Sequence, residues 1–166
     1  MKRVAFTIIQ ASSPGQIRDA RDLLREYWTT LGLAPSFQHF SDEVAGLPGA
    51  YAPPTGRIGL AIADGEAVGC MALRQINAHQ CEAKRLYVKN HFRGHGIGRA
   101  LLTWLIAEAR AIGYDAMLAD TLPSMASALE LYERFGFRRV SSYSLDPTPG
   151  AIYLCLDFRT RDLVIQ

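Results

Sequence analysis

Leu86-Tyr87-Val88-Lys89-Asn90-His91-Phe92-Arg93-Gly94-His95-Gly96-Ile97-Gly98-Arg99-Ala100-Leu101-Leu102 runs from an apolar strand pattern, through three glycines at alternate positions, into an amphipathic helical pattern. Glycines there let the backbone come close to a ligand, and a helix start offers unpaired N–H groups and a partial positive charge. With Arg93, His95 and Arg99 alongside, the natural guest is a phosphate or pyrophosphate. A dinucleotide fingerprint is excluded because its third glycine, counted from Gly94, falls on Arg99, and a P-loop is excluded because no Gly-Lys-Ser/Thr follows. The alternative is a glycine-rich turn that only joins strand to helix.

Outward from this stretch, the spacing predicts a helix over 96–112 with Ile97, Leu101, Leu105 and Leu102, Ile106, Ala109 as its apolar stripe, ended by Gly113. Strands are expected over 81–89 before it and 114–121 after it, which makes a right-handed parallel crossover. Upstream, strands over 58–63 and 67–76 join at Asp64-Gly65, a dipeptide suited to a tight hairpin. A strand over 3–10 leads to a helix capped by Ser13-Pro14 with Ile17, Ala20, Leu24, Tyr27, Trp28 and Leu31 at helical spacing, closed by Gly32. A short helix over 37–47 comes next. Residues 46–56 hold three prolines and three glycines and read as a loop, either functional and mobile or a surface excursion. A helix over 124–135 and strands over 137–143 and 151–158 close the chain. The order βααβββαβαββ gives a mixed α/β (α+β) sheet of about seven strands flanked by about four helices, in one domain over 1–166.

Composition narrows the function. The 166 residues are 49% apolar with a net charge of +2, too small a charge to imply a nucleic-acid partner. No apolar run approaches the roughly 18 residues of a membrane span, and the run after Met-Lys-Arg is too short for a signal peptide. Cys70, Cys81 and Cys155 are odd in number and lack metal spacing, which reads as reduced thiols in a cytoplasmic protein. His39, His79 and His91 have no second ligand at helical spacing, so no metal is expected. No Gly-x-Ser-x-Gly elbow points to a covalent acyl-enzyme.

Arg93-Gly94-His95-Gly96-Ile97-Gly98 resembles the Gln/Arg-x-x-Gly-x-Gly/Ala motif that holds the acyl-CoA pyrophosphate in the GNAT superfamily of N-acetyltransferases. Leu86-Tyr87-Val88 and Ala128-Leu129-Glu130-Leu131-Tyr132-Glu133-Arg134-Phe135-Gly136-Phe137 resemble its neighbouring motifs, and the likeness covers nearly the whole chain. It implies a single acyl-CoA N-acyltransferase domain that moves an acetyl group from acetyl-CoA, as cosubstrate, directly to a primary amine of a small molecule or peptide. It also implies that the N–H of Leu86 polarises the thioester carbonyl, that the N–H of Val88 holds the pantetheine arm, and that Tyr132 is the acid for the leaving thiolate. A packing role for Tyr132 on its helix face stays open. Many family members carry an asparagine where this chain has Met125, and Ser124 is the substitute CoA contact.

An alkylamine with a pKa of about 10 must lose a proton before it attacks. Glu82 is the favoured base, at a position where several family members carry a glutamate. Strict alternation would set it on one face with Lys84, Leu86 and Val88, at a cleft rim or displaced by a bulge. The competing reading is a surface ion pair with Lys84 or Arg85. Asp120 and Thr121, at a strand end, and Tyr51, in the loop, are candidates for acceptor contact, and Tyr143, Tyr153 and Asp146 are further polar groups near the last hairpin. Exposed strand edges at the carboxyl end are compatible with a homodimer. A non-catalytic acyl-CoA sensor is the alternative function.

Overall fold

The computed structural model describes residues 3–144 and 147–159. Within them the chain forms β1 (Thr7–Gln10), α1 (Pro14–Leu31), α2 (Phe40–Ala45), β2 (Arg57–Ala63), β3 (Glu66–Gln75), β4 (Gln80–Val88), α3 (Ile97–Ile112), β5 (Ala116–Thr121), α4 (Ala126–Arg134), β6 (Arg138–Val140) and β7 (Ile152–Asp157). The sheet order is β1-β2-β3-β4-β5-β7-β6. Only β4 and β5 run parallel, joined by α3 as the crossover.

Local chemistry accounts for the element ends. Ser13 accepts the Gln16 N–H at 3.2 Å while the Gln16 side chain accepts the Ser13 N–H at 3.1 Å, a reciprocal cap at the start of α1. Gly32, at φ +65°, ends the helix. Asp64 and Gly65, at φ +51° and +77°, make the tight turn between β2 and β3. β1 begins at Thr7 rather than residue 3 because its partner Ile62 is already next to that turn, so nothing is left for the earlier residues to pair with. The helix expected over 37–47 is split: His39 takes φ +56°, which separates a 3₁₀ turn from α2.

Two apolar layers sandwich the sheet. Leu101, Leu102, Leu105 and Ala109 of α3 pack one face with Tyr132 of α4. Ala20, Leu23, Leu24 and Trp28 of α1 pack the other with Phe40 and Val44 of α2. A buried leucine of this kind stabilises the fold by about 1.5–3 kcal/mol. The loop over 46–56 is exposed at Gly46, Gly49, Ala50, Pro53 and Pro54 but is anchored inward between them. Gly49–Tyr51 is a 3₁₀ turn that drives Tyr51 into the α1-side core at 2% exposure. Gly56 lies so close to the Tyr51 backbone that a Cβ there would come within 2.5 Å of it. Tyr114 also donates to the Thr55 carbonyl at 2.7 Å, tying down the far end of the loop.

Candidate active site

β4 and β5 are paired only from Gln80 to Ala83, and beyond that point they splay. The splay has a visible origin. Between Lys84 and Tyr87 β4 carries one more residue than β3 does opposite, and Arg85 sits there at φ +65°. A non-glycine residue in this conformation costs on the order of 1–3 kcal/mol. Arg85 offsets it with a two-pronged ion pair to Glu43, at 2.8 and 3.2 Å, and by lying 5.0 Å from the Trp28 ring and 5.3 Å from that of Phe40.

The bulge reverses the alternation of β4. Cys81 and Ala83 face the α3 side, and so do Leu86 and Val88. Glu82 therefore does not share a face with Leu86 and Val88, contrary to the strict alternation, and the displacement is the bulge.

A groove of about 580 Å³ opens at the splay, within the usual size range of small-molecule sites. Leu86, Val88, Gly94, Gly96, Gly98 and Ser124 all line it. Gly94 and Gly96 adopt φ +79° and +84°, turning the chain so that α3 points its amino end at the groove. The backbone N–H groups of residues 94–99 make no hydrogen bond among the described residues, six successive donors left for a ligand. Arg93 also lines the groove, with its Nε donating to the Val88 carbonyl at 3.0 Å and its guanidinium 5.8 Å from the Tyr87 ring. His95 and Arg99 have unpartnered amides but are not among the residues that line the groove.

A smaller cavity of about 70 Å³ adjoins the groove and shares Tyr27, Leu31, Leu86, Met125 and Ala128 with it. Asp120, Thr121 and Tyr132 line this cavity. Tyr132 is buried against Phe137, its hydroxyl makes no hydrogen bond among the described residues, and burial raises its pKa, so it holds its proton across the neutral range. Thr121 Oγ1 lies 3.6 Å from Met125 Sδ, which in turn is 4.0 Å from the Tyr27 hydroxyl. Burial pushes the Tyr27 phenol up to about 12. Tyr27 touches both cavities, and its sequence position marks it only as part of an apolar stripe.

Glu82 is buried at 2% exposure and lies behind the wall of both cavities. Its Oε1 accepts from Arg74 Nε at 2.8 Å with Lys84 Nζ at 3.8 Å, and its Oε2 accepts from the Tyr143 hydroxyl at 2.7 Å. The ion pairing is thus a buried network rather than a surface pair, and Arg85 belongs to Glu43. Neither Arg74 nor Tyr143 was marked as a partner of Glu82, since they lie eight and sixty-one positions away. Tyr143 gets there because β6 stops at Val140, after which the chain leaves β7, and its ring rests edge-on against Tyr153 at 5.1 Å. Tyr51 lines neither the groove nor the adjoining cavity, which corrects its placement as an acceptor contact. Asp146 lies outside the described residues. No cluster of three His, Cys, Asp or Glu positioned for a metal ion occurs among the described residues, and no described helix is long and apolar enough to cross a membrane.

The sequence profile of the acetyltransferase (GNAT) family matches residues 17–137. An uncharacterized N-acetyltransferase of Schizosaccharomyces pombe is 33% identical over 159 residues, covering 95% of this chain and 98% of its own length. A GNAT-family acetyltransferase structure from Staphylococcus aureus matches with a TM-score of 0.79 at 19% identity, over 93% of this chain and 99% of that one. An acetyltransferase structure from Salmonella typhimurium, described with its cofactor acetyl-CoA, matches with a TM-score of 0.72 at 18% identity, over 93% and 94% of the two chains. At these identities the two structures speak for the fold alone.

Proposed function

Because this chain belongs to the acetyltransferase (GNAT) family and is an N-acetyltransferase, we propose that it transfers acetyl from acetyl-CoA directly to a primary amine, as one cytoplasmic domain spanning residues 1–166. The observation that carries the reading is the run of six unpartnered amides over 94–99, opening on a groove beside an unpaired strand edge. Such a run is complementary to a pyrophosphate. The acetyl-CoA of the Salmonella relative supports the choice of cosubstrate.

In this reading the amides of residues 94–99 hold the pyrophosphate, Ser124 lies against the CoA, the Val88 N–H holds the pantetheine arm, and the Leu86 N–H polarises the thioester carbonyl. Acetyl-CoA supplies that activated carbonyl. Asp120 pairs with the incoming ammonium. Glu82 is the base, and because it lies behind the cavity wall it accepts the proton through water. A C–N bond forms and the C–S bond breaks. Of the two protons that nitrogen loses, one ends on sulfur through Tyr132 and one leaves to solvent. Reduced Cys70, Cys81 and Cys155 support the cytoplasmic placement.

The test is thiol release from acetyl-CoA across an amine panel. Glu82→Gln and Tyr132→Phe should each lower kcat by about 10²–10⁴-fold, with the far-UV spectrum unchanged. Wild-type turnover in both variants would remove these residue roles.

A further inference from the structure

The charges lining the smaller cavity identify the kind of acceptor it takes, an inference that rests on the acetyl-transfer reading above. Three ionic side chains line it among the described residues: Lys84, Arg85 and Asp120. Arg85 is spent, because both prongs of its guanidinium pair with Glu43 and its plane lies against Trp28 and Phe40. Lys84 is not. Its ammonium is 3.8 Å from Glu82 Oε1, beyond hydrogen-bond length, and that oxygen already accepts from Arg74 at 2.8 Å. The Lys84 side chain is nonetheless only 12% exposed, so water compensates its charge poorly. Asp120 is half-buried on the same cavity, and its carboxylate has no hydrogen bond or ion pair among the described residues. Lys84 and Asp120 are not paired with each other.

The cavity therefore presents one cation and one anion, each with bonding capacity to spare, between apolar walls formed by Trp28, Leu31, Leu33 and Phe37. A simple monoamine would satisfy Asp120 and leave Lys84 with only its share of the single Glu82 charge, which Arg74 holds more closely, and a polyamine would be repelled by Lys84. A molecule with one ammonium and one carboxylate satisfies both. We propose that the acceptor is a small amino carboxylate of the amino-acid type, held with its nitrogen at Asp120, its carboxylate on Lys84 and its side chain against the apolar wall.

The test is thiol release from acetyl-CoA with the free amino acids and, side by side, the amines made by removing their carboxylate, for example phenylalanine against phenethylamine and leucine against isoamylamine. The best free amino acid should exceed its decarboxylated partner in kcat/KM by at least about tenfold, the worth of one charged hydrogen bond. In Lys84→Met that ratio should fall towards one, whereas Lys84→Arg, which keeps the cation, should retain it. Decarboxylated amines that react as well as the amino acids, or a ratio untouched by Lys84→Met, would overturn the inference while leaving acetyl transfer standing. Acetyl-CoA binding without thiol release from any amine would instead overturn the transfer reading and this inference with it.

Discussion

The groove at the head of α3 and the cavity beside it are built from different materials. The groove offers backbone: six unpartnered amides over 94–99, with two glycines at positive φ among them. The cavity works with side chains gathered from α1, β4, β5 and α4, backed by Arg74 of β3 and Tyr143 from beyond β6. A backbone site needs only a short, contiguous motif. A side-chain site depends on every element that delivers a group to it, which is why one fold can keep its cosubstrate and change its acceptor.

The contrast can be broken experimentally. Gly96 has open space around a Cβ but sits at φ +84°, so Gly96→Val should strain or redirect the amide run and weaken acetyl-CoA binding by about 10–100-fold, read by titration. Unchanged affinity would mean that the amides are not the binding element. A second test reads the burial of the core behind both regions by pH. Burial pushes Tyr27, Cys70 and Cys81 up to about 12, so the folded chain holds these protons more tightly than the unfolded one. Their stabilisation is complete below the unfolded thiol value of about 8.5 and is lost as pH rises towards 12, at about 1.4 kcal/mol per unit for each fully buried thiol. The thermal midpoint should be level to about pH 8.5 and fall above it, and a rising midpoint would contradict the burial. The smallest effect belongs to Arg93. Its guanidinium is already engaged with the Val88 carbonyl and the Tyr87 ring, so Arg93→Ala should weaken acetyl-CoA binding by roughly three- to fivefold, equivalent to less than about 1 kcal/mol. A loss of the size expected for Gly96→Val would show that side-chain charge, not backbone, carries the groove.

The same division explains what could be read from the sequence. The element order, the Asp64-Gly65 hairpin, the α1 cap and the glycine loop are each set by residues close together in the chain, and all are legible there. Arg85 is the counter-example. Nothing in Lys84-Arg85-Leu86 signals a left-handed residue, because the stack on Trp28 and Phe40 and the pair with Glu43 that hold it come from α1 and α2. A bulge was one of the two alternatives open for Glu82, and the one at Arg85 moves Glu82 off the face assigned to it by alternation. Tyr51 was misplaced for a related reason: a loop rich in proline and glycine looks solvated until the core that receives its aromatic side chain is seen.

The most direct test is an isothermal titration of the purified protein with acetyl-CoA. Binding at one site with a Kd in about the micromolar range, roughly 8 kcal/mol, is the result expected if the amides over 94–99 cradle a pyrophosphate. No binding up to about millimolar acetyl-CoA would contradict it, since the groove would then hold less than roughly 4 kcal/mol for the ligand it is proposed to take.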